Sequence, residues 1–230
     1  MSYGATTDPW SFADTTMHLQ SYEVNPAPGG EAQAQDSNGD VAASTMYDTA
    51  NSTVSATYKS CRDAALVLYD TTAGVDFRLG KVIGGNVITK IDVSTSNTDG
   101  RPTIVIGGEH AHGIADSAMP KYDPSDLEIA MTRKATAIGV TVDTVTNLLS
   151  SSGSASVSVS KTPDSNGNTA CMDVYGGRVE ASNELVGVTG AAGAAAADTN
   201  WTVSAGPSNA QTNTAYATGS ITVFKNLTAM

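Results

Sequence analysis

Apolar and polar positions alternate with a period of two along much of the chain. In SASVSVSK (154–161), Val157 and Val159 share one strand face, while Ser156, Ser158 and Ser160 share the other. Similar segments are TVSATY (53–58), AALVLY (64–69), DFRLGKV (76–82), NVITKIDVST (86–95) and PTIVIGG (102–108). ATAIGVTVDTV (135–145), ACMDVY (170–175), GRVEASNELVGV (177–188), NWTVSAG (200–206) and GSITVFKNL (219–227) continue the series. Turn signals stand between them: NTDG at 97–100, SSG at 151–153, SNG at 165–167 and GG at 176–177. Short strands at this spacing predict a mainly β protein, an antiparallel β-sandwich or barrel.

Two regions depart from the pattern. PSDLEIAMTRKA (124–135) places Ser125 three residues before Glu128, a capping-box spacing that predicts one short flanking α-helix. Residues 1–35 are poor in aliphatics and carry PAPGG at 26–30, so they read as an extended N-terminal arm or long loop. Residues 36–230 then form a single β-rich domain. AAGAAAAD (191–198) reads as a loop.

The tetrapeptide DSNG occurs at 36–39 and again at 164–167, each followed by a tyrosine eight residues past the glycine, Tyr47 and Tyr175. Asn-Gly is a two-residue hairpin signal, so each copy predicts a hairpin with its tyrosine on the outgoing strand. Either one β-unit has been duplicated, or two hairpins chose the same favourable turn independently. The poor match of the flanks favours the second reading.

Composition narrows the functional classes. Charged residues are only 15% of the chain, and 23 acidic against 12 basic residues give a formal net charge of −11. Sequence-independent phosphate binding needs clustered Lys and Arg, so this balance argues against condensation on nucleic acid. Cys61 and Cys171, the only cysteines, have no CxxC spacing and predict neither a zinc site nor a disulfide scaffold. The opening MSYGATTDPW lacks a basic and an apolar region, so no secretory signal is expected. No apolar run approaches the ~20 residues of a membrane-spanning helix.

GGEHAHG (107–113) is the one segment that suggests a site. If the strand continues through it, His110 and His112 share a face as paired metal ligands can, while Glu109 points the other way. His18 is the only other histidine and lies in the expected arm. The plain alternative, a polar strand end, is preferred. Asp36, Asp40, Asp48, Asp63 and Asp70 are scattered singly, and no GxSxG elbow or phosphate-loop lysine is present. Trp10 and Trp201 are isolated and form no aromatic platform of the kind glycan-binding modules carry. No catalytic, cofactor-binding or metal residue is assigned, and the chain is not expected to be an enzyme.

DSNGDVAASTMYDTANSTVSATY (36–58) resembles the opening of tail tube proteins of long-tailed bacteriophages. VITKIDVSTSNTDGRPTIVIGGEH (87–110), ACMDVYGGRVEASNELVGV (170–188) and NWTVSAGPSNAQTNTAYATGSITVFKNL (200–227) are similar to that family's paired strands and turns. The resemblance implies a virion protein made in the host cytoplasm. Its protomers would join into rings, hexameric in that family, stacked into a hollow tube. Its partners would be further copies of itself and other tail proteins, with DNA passing through the lumen without specific binding. NTDGRPT (97–103) and residues 107–123 are candidate loops toward a neighbouring ring. Competing expectations are a capsid decoration protein, a module binding host-surface glycans, and a metal enzyme centred on His110 and His112.

Overall fold

The structure, a computed structural model, describes residues 8–14, 16–27, 30–47, 51–98, 100–142, 146–166, 168–187, 195–210 and 217–230. Its strands are β1 (Met17–Pro26), β2 (Gly30–Gln35), β3 (Val41–Tyr47), β4 (Ser52–Ser60), β5 (Tyr69–Asp70), β6 (Val75–Asp76), β7 (Val82–Ile83) and β8 (Asn86–Ser96). They continue as β9 (Thr103–His110), β10 (Val140–Val142), β11 (Thr146–Pro163), β12 (Thr169–Gly187), β13 (Ala195–Ala197), β14 (Thr202–Ala210) and β15 (Ala217–Asn226). A nine-stranded antiparallel sheet in the order β1-β4-β9-β8-β11-β12-β15-β14, with β7 beside β8, dominates the molecule. The expected mainly β, antiparallel architecture is thus present. No helix among the described residues is long and apolar enough to cross a membrane.

The alternation decides which face is buried. Val54, Ala56, Ile104, Ile106, Ile91, Val93, Ala155, Val179, Ala181, Ile221 and Val223 all point to one side and are buried. The second layer over this face is no second large sheet. It consists of the connections between β4 and β8 and between β9 and β11, which supply Leu66, Leu68, Leu79, Met119, Tyr122, Leu127, Ile129, Met131 and Ile138 to the same core. AALVLY therefore forms little strand: Leu66 and Leu68 are buried and Val67 is exposed, but only Tyr69 pairs in a ladder.

The flanking α-helix is replaced by a single 3-10 turn, Ser125–Leu127. Leu127, Ile129 and Met131 are buried in extended alternation. Glu128 turns away from the capping position, and its Oε1 accepts hydrogen bonds from the backbone N–H of Leu68 (2.7 Å) and Tyr69 (2.9 Å). Tertiary demand for an acceptor has overridden a local helix signal.

The expected arm also divides differently. Residues 1–7 lie outside the described residues, but Trp10 is fully buried, and β1 pairs with β4 as the edge of the sheet. Trp10 donates its indole N–H to the Ile106 carbonyl at 3.0 Å and lies against Gly108, where a Cβ would sit 2.5 Å from the ring. Gly108 is therefore a seat for an aromatic ring within a strand. Likewise GG at 176–177 is a bulge inside the long β12 strand, and SSG at 151–153 lies within β11.

Beyond the sheet, two hairpins continue. β11 leaves β8 after Ser156 and β12 joins β15 only from Arg178, so the segments between run on as a two-stranded ribbon. At the same end Pro26 pairs with Ser52, the Ala27 N–H donates to Asn51 O (2.9 Å), and the chain passes into the β2–β3 hairpin. Both ribbons close on DSNG. Asp36 Oδ1 accepts the Asn38 (2.8 Å) and Asp40 (3.1 Å) N–H groups, and Asp164 Oδ1 accepts those of Asn166 (2.8 Å) and Asn168 (2.9 Å). Both loops thus run five residues, 36–40 and 164–168, and are wound around the aspartate instead of forming two-residue Asn-Gly turns. Gly167 and the Tyr47 side chain lie outside the described residues; Tyr175 is exposed on β12.

Asn183 shows how the covering segment is tied down. It is fully buried, accepts from Ile138 N–H (3.1 Å) and Ser151 Oγ (2.8 Å), and donates to Ile138 O (3.0 Å). Asn183→Leu would strand all three groups and is expected to cost about 2–4 kcal/mol. Gly108→Ala is expected to cost about 1–3 kcal/mol through clashes with the Val87 carbonyl and the Trp10 ring. Equilibrium urea unfolding measures both, and a loss below about 0.5 kcal/mol for either variant would refute the corresponding contact.

Candidate functional site

The GGEHAHG segment does bring its histidines together, although not by strand alternation. β9 ends at His110, His112 takes a left-handed turn (φ 49°), and the two rings meet edge-on at 5.0 Å. Glu109 faces away, as expected, and pairs with Lys161 at 2.8 Å. His18 sits on β1 opposite Lys59, at the other end of the sheet. Among the described residues no group of three or more His, Cys, Asp or Glu gathers as a metal would require.

Three of the scattered aspartates have local work. Asp36 shapes its turn, Asp70 Oδ1 accepts the Thr72 (2.7 Å) and Ala73 (3.1 Å) N–H groups, and Asp63 pairs with Arg101. Asp48 lies outside the described residues. Trp201 packs over Gly139, as Trp10 does over Gly108. Of the candidate ring-to-ring loops, residues 97–102 join β8 to β9, with Asp99 outside the described residues, and residues 111–122 fold back over the core.

A charge knot that the sequence does not announce holds this last segment. Arg78 donates to Asp76 at 2.8 and 3.0 Å, Lys81 pairs with Asp116 at 3.0 Å and with Asp76 at 3.3 Å, and Lys121 pairs with Asp116 at 3.2 Å. Asp116 Oδ1 also accepts the Val82 N–H at 2.7 Å. Burial disfavours the ionised form of Asp76, but hydrogen bonds and charge from Arg78 and Lys81 outweigh it and bring its pKa to about 2. Burial lowers the Lys121 pKa despite Asp116, whereas the Asp116 hydrogen bond raises that of Lys81. The carboxylate and amines form a clasp between two coil segments.

The uncovered face of the sheet is rich in hydroxyls. Ser94, Ser152, Ser154, Ser156 and Ser182 line a trough of ≈ 480 Å³ with Lys90, Asp92, Arg178 and Glu180. Its charges pair within the trough, Lys90 with Asp92 at 2.8 Å and Arg178 with Glu180 at 2.9 Å. The Arg178 guanidinium also lies 4.2 Å over the Phe224 ring. A surface of hydroxyls and neutralised charge offers little hold to a phosphate backbone.

The sheet's flanks differ from its faces. Among the described residues β1 pairs only with β4 and β14 only with β15, which leaves one backbone edge of each open. Tyr22 and Val24 lie opposite buried Ala56 and Val54, and Val203 opposite buried Val223, so all three belong to the core side. They nevertheless remain 44%, 49% and 44% exposed. The covering layer reaches Met17 and Leu19 on β1 but stops short of Tyr22, Val24 and Val203.

Compared with known proteins, the chain matches no family model and no curated sequence.

The charge knot has a measurable pH signature. The Asp76 pKa is held below its ordinary value of 3.8, so its ionised form stabilises the fold above that pH, and the contribution vanishes as pH falls through about 2. Partial exposure screens the pair, leaving on the order of 1 kcal/mol. Between about pH 5 and about pH 2, the wild type is expected to lose about that much more stability than Asp76→Asn. Parallel losses in urea titrations would contradict it.

Proposed function

We propose that the chain is a structural assembly protein whose copies join side by side through their sheet flanks, of the kind that builds a phage tail tube. The observation that carries this reading is the pair of open edges, β1 and β14, each with apolar side chains left exposed on the same side of the sheet. A contact of β14 in one copy with β1 in the next is heterologous, so it repeats until a ring closes. Closure covers the edges and continues the core across the joint, removing a template for random strand addition. Bulges at Leu19/Ser21 and Ala205/Ser208, and Pro207 without an N–H, limit the registers at which another strand could add.

The tube reading adds stacking of such rings and passage of DNA. The hydroxyl-lined face suits a surface that must not retain phosphates. It does so through paired charges, not through the acidic wall that net charge alone suggests. The same trough favours, as a second reading, a module that binds polyhydroxylated chains at a host surface. Titration with soluble glycans, watched by calorimetry, separates the two.

Negative-stain electron microscopy across a concentration series tests the assembly. Rings or tubes of uniform diameter are expected from the wild type. Tyr22→Lys with Val203→Lys is expected to abolish them while leaving the circular dichroism spectrum unchanged. A wild type that stays monomeric at every concentration sinks the proposal.

A further inference from the structure

The charges of this protein are segregated along the strand direction. Residues 1–58 contain no lysine or arginine but seven acidic residues, Asp8, Asp14, Glu23, Glu31, Asp36, Asp40 and Asp48. Residues 162–177 likewise contain Asp164 and Asp173 and no basic residue. The first stretch supplies the β2–β3 ribbon and the second the tip and outgoing strand of the β11–β12 ribbon, and both ribbons leave the sheet at the same end. Every described side chain from Gln33 to Ser44 is exposed, as are those of Thr162–Asn166, so both tips stand clear of the body. Lys161, on the incoming strand of the second ribbon, pairs with Glu109 and donates to Asn51 Oδ1 at 2.8 Å. It therefore braces the bases and leaves the tips uncompensated.

The opposite end carries exposed cations of the kind the tips lack. Lys59 and Arg62 mark the end of β4, and Arg101 the β8–β9 turn. Arg133 and Lys134 are exposed on the segment that packs beside that turn, where the Ala135 N–H donates to Asn97 Oδ1 at 2.8 Å. Of the acidic groups there, Asp63 is paired with Arg101, while Asp14 and Asp70 line one groove, accept backbone N–H groups and keep their charge. Glu184 accepts from Ser150 Oγ at 2.7 Å, and Asp99 lies outside the described residues. Arg62, Arg133 and Lys134 remain as outward cations in a chain of net charge −11.

The geometry points to a second, axial contact: the two acidic DSNG tips of one copy dock on the basic end of another copy. The inference rests on the assembly reading above and adds the direction in which assembled layers stack. The matched occupant is a copy of this chain because one molecule carries both signs at opposite ends, so the contact repeats head to tail. Such a contact between exposed charges acts over about 8–10 Å at moderate salt and weakens as salt rises.

The test uses the full chain. Asp36→Asn, Asp40→Asn and Asp164→Asn together remove three tip charges while Asn keeps the side-chain acceptor that shapes each turn. Arg133→Glu with Lys134→Glu reverses the other end. Stacking of wild-type assemblies, measured by sedimentation velocity and electron microscopy, is expected to weaken with increasing sodium chloride. Either variant should weaken it about tenfold at low salt. Single rings should persist in both. Wild-type tubes that resist salt and form equally well in both variants overturn the axial contact alone. A wild type without rings or tubes overturns the assembly reading and the axial contact with it. Binding of duplex DNA that the basic-end variant abolishes, with stacking unchanged, would assign the cations to nucleic acid and also overturn the proposal.

Discussion

A sheet that hides one face beneath coil must find a partner for every buried peptide group of that coil. Coil has no ladder of its own, and an unpaired buried N–H or C=O costs about 1–3 kcal/mol. Here side chains substitute for missing strands. Asn183 meets both backbone groups of Ile138, Glu128 receives two N–H groups, and Asp116 takes that of Val82. Each supplies a partner that the irregular covering layer lacks, Asn183 fully buried and Glu128 and Asp116 partly exposed. Their loss would release the layer, and with it the apolar face it protects.

Close approach is the other half of the same constraint. A coil layer can lie flat on a sheet only where the sheet offers space. Gly108 makes room for Trp10, Gly177 for the Tyr122 ring, and Gly153 for Leu127 and Ile138. This explains why glycines that read as punctuation fall inside strands. It also explains why Trp10, Trp201 and Tyr122 each lie on a glycine seat, whereas Phe12 packs edge-on against Tyr58 (4.9 Å) and Phe77 (4.8 Å) within the core. Tyr58 belongs to the same lock: its hydroxyl donates to Asp8, which also accepts from the Trp10 N–H at 3.0 Å. Burial, then the Asp8 hydrogen bond and charge, push its pKa well above the ordinary range.

What was legible in the sequence follows from how local the signal was. Period-two alternation in NVITKIDVST and PTIVIGG reports a strand with one covered face, and both became paired neighbours, β8 and β9. The same period in AALVLY and LEIAM reports burial of alternate residues but not who supplies the hydrogen bonds. One was therefore mistaken for a ladder strand and the other for a helix. The role of Trp10 was hidden because its partner, Gly108, is far away in sequence and silent on its own. The open flanks were equally unreadable: an edge strand and an inner strand share one pattern, and only the pairing order distinguishes them. The charge knot was out of reach for the same reason, since Asp76 and Asp116 meet only through the fold.

The repeated DSNG turn joins local chemistry to global form. In both copies an aspartate oxygen gathers two backbone N–H groups, so identical turns need no common ancestry, only the same loop length. The ribbons they close differ in surroundings: β2–β3 lies outside the main sheet, whereas β11 and β12 are its central strands. What they share is position and sign. Each ends in an aspartate-containing loop at the same end of the molecule, and neither loop carries a lysine or arginine. A turn alone would tolerate a neighbouring cation, and the β11–β12 ribbon does hold Lys161, yet there it is bound at the base. Turn chemistry accounts for one aspartate per tip and leaves Asp40 unexplained, because its backbone N–H, not its carboxylate, is what Asp36 engages. That surplus of charge at the free end separates a surface meant to meet another surface from a turn that merely reverses the chain.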